Sequence, residues 1–271
     1  VISSYCYYGY PYPGGHFYSS PNSNGCASGN TLEEAVLQGF FELSERDAVA
    51  IWWYNKLVRP SVNLESFNIP YVNRLKNYYE NNNRELWVLD ITNDLGIPTF
   101  VALSRRINGE PEEIVFSFGS HFDPSVALLR AVTELNQFMP QMSAGAPGEY
   151  AYQDKHAISW WKTVRLKDNP YLAPDGLNEK YLSDFEDRSS DDLLTDIQCC
   201  QKIVEDLGME FLVLDQTKPD VGLNVVKVIV PGMRHMWQRL GPGRLYDVPV
   251  KMGWLKEAKM EHELNPIAIF V

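Results

Sequence analysis

The chain has 271 residues, 45% of them hydrophobic and 22% charged, and carries a formal net charge of −11. That balance describes a globular fold with a sizeable buried core. It excludes nucleic acid and anionic membrane surfaces as natural partners, because no basic run is present, and no apolar run approaches the ~20 residues of a membrane span.

Cys6, Cys26, Cys199 and Cys200 show no C-x-x-C spacing and no histidine-rich companion, so neither a zinc site nor a disulfide framework is expected. Cys199 and Cys200 are neighbours on an expected helix, where side chains diverge by about 100° and pair badly. A reducing, cytoplasmic compartment follows. The chain begins at Val1 without a signal-peptide pattern and reads as the interior of a domain, hence as a fragment.

In chain order, residues 1–10 read as a strand and the Pro/Gly/Ser/Asn-rich stretch 11–30 as a loop. Thr31 (or Asn30) caps a helix reaching about Lys56, with Glu34 at capping-box spacing from Thr31. "ESFNIPYVNRLKNYYENNN" is a shorter helix, and "ELWVLDITNDLGIPTFVALSRRI" a β-hairpin about an Asn-Asp-Leu-Gly turn. "EEIVFSFGSHFDPSVALLRAVTELNQFM" gives strand, glycine turn and helix, with Asp123 as cap and Pro124 at the first helical position. Residues 140–190 are polar and irregular, an insertion or lid. "DDLLTDIQCCQKIVEDLG" is an amphipathic helix closed by Gly208; "EFLVLDQT" and "LNVVKVIVPG" are strands; "NPIAIFV" is an apolar tail. Helices and strands mix without βαβ alternation, so the expected class is α+β, with mixed sheets and packed helices.

The long helix poses the main chemical question. With Gln38 at 0° and about 100° per residue, Glu34 falls near −40°, Glu42 near +40°, Glu45 near −20° and Arg46 near +80°. Leu32, Val36, Phe40 and Leu43 lie opposite. Such an acidic stripe is ordinarily a solvated face. Here it runs on into Val49 and Trp53, and "AVAIWWY" is apolar around most of the helix, so the acids border an interior. Crowded carboxylates there need a cation, and a hard ion with oxygen ligands, Mg²⁺, suits carboxylates and an amide better than zinc does. Arg46 could reach a phosphate or pair with an acid. Neither G-x-x-x-x-G-K-[ST] nor G-x-G-x-x-G is present.

"TLEEAVLQGFFELSER" and "SVALLRAVTELNQF" superpose at an offset of about 92, pairing Gly39 with Ala131 and Glu42 with Glu134. Two like helices on sheets are the modest reading of that match.

The segment "SNGCASGNTLEEAVLQGFFELSERDAVAIWWYNKLVRP" resembles the second glutamate-bearing segment of the YcaO family, in particular cyclodehydratases of thiazole/oxazole-modified peptides. "LWVLDITNDLGIPTFVALS", "FGSHFDPSVALLRAVTELNQ", "NPYLAPDG" and "VVKVIVPGMRHMWQRLGPGRLYDVPVKMGW" continue the likeness in order over essentially the whole chain. The resemblance implies a YcaO-type fold binding ATP and Mg²⁺. The activity it implies is cyclisation of Cys, Ser or Thr onto a peptide amide, whose oxygen ATP phosphorylates, giving thiazoline or oxazoline in a ribosomal peptide natural product. By the same resemblance Glu42 and Glu45 are metal ligands; Gln38, Arg46, Asn24 and Arg59 belong to nucleotide binding. No catalytic residue is assigned. A lone arginine such as Arg59, near a helix end, otherwise reads as surface.

Expected partners are a precursor peptide, a leader-binding domain or protein, a downstream flavin dehydrogenase and a second copy of the chain. Thioamide or amidine formation, or a non-catalytic precursor scaffold, are the alternatives. His121 reads as a backbone-bonding loop histidine before it reads as a base. Arg130 and Glu134 read as a helical i, i+4 pair. Arg234, Arg239 and Arg244, near a Pro-Gly turn, are further phosphate candidates.

Two departures stand out. The family's earlier Gly/Lys/Ser-containing segment and E-x-x-E helix have no counterpart here, so the chain is expected to be the C-terminal half of the domain, inactive alone. Related cyclodehydratases end in alternating prolines; "NPIAIFV" keeps Pro266 but has Ala268 and Phe270 at the later positions.

Overall fold

The computed structural model describes residues 2–10, 19–142 and 149–270. Their elements are α1 (Ser3–Cys6), β1 (Cys26–Gly29), α2 (Leu32–Asn55), α3 (Pro70–Asn81), β2 (Arg84–Asp90), β3 (Thr99–Arg106), β4 (Val115–Ser120), α4 (Pro124–Met142), α5 (Lys155–Thr163), α6 (Leu193–Asp206), β5 (Leu212–Asp215), β6 (Asn224–Ile229) and α7 (Arg244–Lys251). All strand pairing is antiparallel, in two three-stranded sheets of order β1-β6-β5 and β2-β3-β4. The expected α+β class is what the fold displays. No helix among the described residues is long and apolar enough to cross a membrane.

The chain separates into two compact units, Val1–Leu43 with Ser190–Met233, and Ser44–Ser189 with Arg234–Val271. In the first, β1 pairs with β6 in the register Cys26↔Lys227 and β6 with β5 in the register Leu212↔Ile229. Ala35, Val36, Phe40 and Leu43 of α2 are buried, while Leu32 is exposed despite its apolar type. Phe40 and Phe211 place ring centroids 5.2 Å apart. Two expectations fail here. Residues 3–6 form a helical turn instead of a strand, because Tyr5 N–H bonds to Ile2 O and Tyr7 N–H to Ser3 O; β-forming side chains without a neighbouring strand leave local bonds as the backbone's outlet. The expected loop 11–30 contains β1, and its residues 11–18 lie outside the described ones.

The start of α2 is as the sequence proposes. Thr31 Oγ1 accepts from Glu34 N–H at 3.2 Å, and Glu34 Oε2 accepts from Asn30 N–H at 2.8 Å and Asn30 Nδ2 at 3.0 Å. Glu34 is therefore a capping residue.

In the second unit the sheet β2-β3-β4 carries α4, and a single core unites Trp52, Trp53, Phe116, Trp160, Trp161 and Tyr171. Trp53 lies 5.1 Å, centroid to centroid, from both Phe116 and Trp160. The hairpin and the strand–turn–helix form as expected: Asp123 Oδ1 accepts from Ser125 N–H at 2.7 Å and Pro124 opens α4. Of the expected lid at 140–190, residues 143–148 lie outside the described ones, and the rest is not irregular. It includes the end of α4 and the whole of α5, and its Trp160, Trp161, Tyr171 and Leu172 are core residues. Polar spacers mask aromatic anchors set too far apart for a periodic pattern. The tail keeps Leu264, Asn265 and Ile269 buried, and Trp53 Nε1–H donates to Ile267 O at 2.7 Å. Residues 266–270 also line a cleft of about 610 Å³ with Trp160 and Trp237.

Candidate functional site

α2 presents Gln38, Glu42 and Glu45 at positions i, i+4 and i+7 of one helix, the spacing that keeps side chains on one face.

In the first unit, Glu42 Oε2 accepts a hydrogen bond from Gly25 N–H at 2.9 Å. Gly25 sits at the tip of the loop leading into β1. Its φ of +76° requires the left-handed region, and a Cβ there would lie 2.1 Å from Val228 O. Gly25 O accepts from Val228 N–H at 2.7 Å. Gly39, one turn before Glu42, lets the helix approach: a Cβ there would stand 2.7 Å from Gly25 O. Asn24 is buried, and its N–H donates to Asn22 Oδ1 at 3.1 Å. Lys227 reaches the same loop from β6, with Nζ donating to Asn22 O at 2.6 Å and Asn24 O at 3.1 Å. Burial pushes the Cys26 thiol above its ordinary pKa, against the opposing influence of Lys227.

In the second unit, Glu45 Oε1 lies 3.0 Å from Arg46 Nη1, both side chains about seven-eighths buried. Arg130 Nη1 donates to Ser120 O at 3.1 Å; burial lowers its guanidinium pKa while the charge of Glu45 opposes that fall. Glu134 Oε2 accepts from Phe118 N–H at 2.9 Å. That contact parallels the one between Glu42 and Gly25, so the two superposable helices use the same glutamate position to hold a backbone amide. Close approach is served here from the strand side: a Cβ on Gly119 of β4 would meet Ala127 O of α4 at 2.2 Å.

Other sequence candidates have structural tasks. Arg59 Nε donates to Asp90 O at 3.0 Å and its guanidinium lies 3.9 Å over the Trp254 ring. Burial lowers its pKa, with Asp90 and Asp175 opposing. Arg244 chelates Asp47 and Asp94, at 2.6 Å and 2.7 Å from Nη2. Burial alone would lower the Arg244 pKa, but these two carboxylates carry it above the ordinary arginine value. Arg234 Nη2 donates to Arg239 O. His121 Nδ1 accepts from Asp123 N–H at 3.0 Å, the backbone-bonding role expected of it.

Sequence spacing does not reveal Gly25, Asp47 or Lys227. Their partners lie 17, 197 and 205 residues away, beyond any local pattern. The one usable signal is Gly25 itself, within the Asn-Gly of the loop.

The donors on α2 are all oxygens, a hard set matched to Mg²⁺. Among the described residues no three His, Cys, Asp or Glu side chains converge as a complete metal cage. Mg²⁺ typically takes one or two carboxylates, with waters and substrate phosphates completing the shell, so two glutamates fit it.

The site is thus a carboxylate-bearing helix braced on a glycine loop within an antiparallel α+β fold. The family model for YcaO cyclodehydratase, described as ATP- and Mg²⁺-binding, matches residues 3–234, and the chain belongs to this family. It is 52% identical to a heterocyclase solved in complex with substrate and cofactor, with a TM-score of 0.94 over 98% of this chain and 36% of that one. To the heterocyclase TruD it is 49% identical, with a TM-score of 0.91 over 100% of this chain and 37% of that one. An uncharacterized protein of Methanothermobacter thermautotrophicus is 27% identical over 78% of this chain and 55% of its own length. The chain thus spans about half the length of that curated relative, and less of the solved heterocyclases.

Proposed function

We propose that this chain forms part of an ATP-dependent cyclodehydratase, which converts Cys, Ser or Thr of a ribosomal precursor peptide into thiazoline or oxazoline. Family membership and the high likeness to heterocyclases support the reaction class. The observation that carries the site is the Glu42 carboxylate, fixed by Gly25 N–H in a loop only glycine can make.

Glu42 and Glu45 hold Mg²⁺ in this reading, with Gln38 on the nucleotide or a metal-bound water. Asn24, Arg46 and Arg59 are assigned to nucleotide binding in the same reading. When bound, Mg²⁺·ATP supplies the phosphoryl group that turns the former amide oxygen into a leaving group. The glutamates orient the metal, and buried cations such as Arg130 offset charge on the transferring group. The peptide side chain, giving up its S–H or O–H proton, would bond to the carbonyl carbon, and that carbon's oxygen would leave as phosphate while the amide nitrogen gives up its proton and the C=N bond forms.

The substrate is a precursor peptide delivered by a leader-binding domain. A flavin dehydrogenase acting on the azoline and a homodimeric assembly are the further partners in this reading. A cytoplasmic setting belongs to the same reading, the four cysteines being thiols with no disulfide among the described residues.

The test compares the complete protein with its Glu42→Gln and Glu45→Gln variants, by calorimetry with Mg²⁺·ATP and by mass loss of one water from a precursor peptide. Each variant is expected to lower turnover by about 10²–10³-fold, with weaker Mg²⁺ dependence. Wild-type binding and turnover in both variants would remove the metal assignment.

A further inference from the structure

Lys227 is wholly buried, with 0% exposure, in the middle of β6. Lysine is rarely buried without partners that offset its desolvation. Its Nζ donates to Asn22 O at 2.6 Å and Asn24 O at 3.1 Å, contacts Cys26 Sγ at 3.6 Å, and lies 4.9 Å from the Tyr5 ring centroid. The three N–H donors of an ammonium are thus matched by three acceptors on one short loop, and the ring offers a cation–π face. No carboxylate is among these contacts. The charge acts on backbone, and shapes it.

The shaped backbone is the part that carries Gly25. Asn22 and Asn24 carbonyls point at Nζ, the next residue on β6 donates from Val228 N–H to Gly25 O, and Gly25 N–H is left aimed at Glu42 Oε2. A glutamate on a helix has several accessible rotamers, and one amide at 2.9 Å selects among them. Moving the loop would move that amide.

We propose that Lys227 is a positioning residue for the metal site: by gathering the carbonyls of Asn22 and Asn24 it fixes Gly25 N–H, which in turn orients the Glu42 carboxylate toward Mg²⁺. The inference rests on the assignment of Glu42 to the metal. Outer-shell groups that orient a ligand typically govern about 10–100-fold of metal affinity, and Lys227 acts one link further out.

The experiment uses the complete protein as wild type, Lys227→Met, Lys227→Arg and Glu42→Gln. Hydrogen exchange is read on residues 22–26 without nucleotide, and Mg²⁺ affinity by titration at saturating ATP. Lys227→Met is expected to exchange about tenfold or more faster in the loop, with β2–β4 unchanged. It is also expected to weaken Mg²⁺ about tenfold, seen as a rise in KM for Mg²⁺·ATP larger than the fall in kcat. Lys227→Arg keeps the charge but has a planar fork that cannot meet three divergent acceptors, so it should fall between. If Lys227→Met does not fold, Lys227→Arg decides on the same two readings.

A loop as protected as wild type would overturn the proposal, and so would a loosened loop with unchanged Mg²⁺ affinity. Wild-type Mg²⁺ affinity in Glu42→Gln would instead remove the metal role of Glu42, and the exchange rates would then decide the loop clamp on their own.

Discussion

Asp47, fully buried on α2, receives Arg244 of α7 through Nε at 3.0 Å and Nη2 at 2.6 Å. Its carboxylate also accepts from Arg234 N–H at 2.7 Å and Asn93 Nδ2 at 2.8 Å. Every lone-pair direction is therefore used, the condition under which a buried ion pair is tolerated. Asp47→Ala leaves the Arg244 charge with Asp94 alone and two donors unmatched. Urea denaturation should show a loss of about 3–5 kcal/mol. Replacing both partners by apolar residues should recover much of it, and a double-mutant cycle with no coupling would contradict this pairing.

Gly39→Ala tests the close approach of α2 to the Gly25 loop. The added methyl would stand 2.7 Å from Gly25 O and 3.0 Å from Val228 Cγ2, backbone on one side and a stiff β-branched side chain on the other. A destabilisation of about 1–3 kcal/mol is expected. Mg²⁺·ATP affinity should fall with it, because the displaced loop carries the amide that holds Glu42. Unchanged calorimetric affinity would separate the packing from the site.

Trp53→Phe keeps the aromatic contacts with Phe116 and Trp160 but removes the bond to Ile267 O. The expected cost is about 1–3 kcal/mol for the carbonyl left behind. The more telling readout is digestion of the tail by an added endoprotease, which should accelerate. Equal digestion rates would mean that the buried Leu264 and Ile269 hold the tail by themselves.

Asp90 supplies the pH test. Burial raises its pKa above the ordinary 3.8, although the Thr92 hydroxyl and amide and the nearby Arg59 oppose the shift. The folded chain then binds this proton more tightly than the unfolded chain. Stability contributed by Asp90 is greatest below pH 3.8 and falls as pH rises through the raised folded value. Asp90→Asn should lack that slope and be more stable than wild type near neutrality, since it escapes the cost of ionising a buried carboxyl while Asn Oδ1 can still accept from Thr92 N–H. A steeper loss of stability in the variant would reverse the assigned sign.

The legible and illegible parts of the molecule divide by sequence distance. α2 is readable because its cap, acids and apolar run lie within about 25 neighbouring residues, and the hairpin because its turn residues sit between its own strands. β1 is not, since "CASG" has no alternation and its partner is β6. Residues 3–6 mislead for the opposite reason: aromatic content mimics a strand whatever the neighbours. At the site, Gln38, Glu42 and Glu45 stand out by helical spacing. Asp47 does not, because it falls about 180° from Gln38, on the apolar side of the helix, where nothing nearby in the sequence names its partner until Arg244 is brought to it. Lys227 reads as the wet side of a strand in "NVVKVIV", and only loop carbonyls from the other end of the chain make its burial tolerable.

The pairing of β1 with β6 also sets an order of assembly. β2, β3 and β4 are consecutive, so their sheet closes short loops and can form from a local stretch. The amide that seats Glu42 depends on Lys227, 203 residues beyond Asn24. During synthesis the glutamate helix emerges long before the strand that shapes its loop, and closing so long a segment carries an entropic cost that local contacts cannot offset. A nascent chain stalled before β6 would carry Gln38, Glu42 and Glu45 in full and still lack the ordered loop beside them.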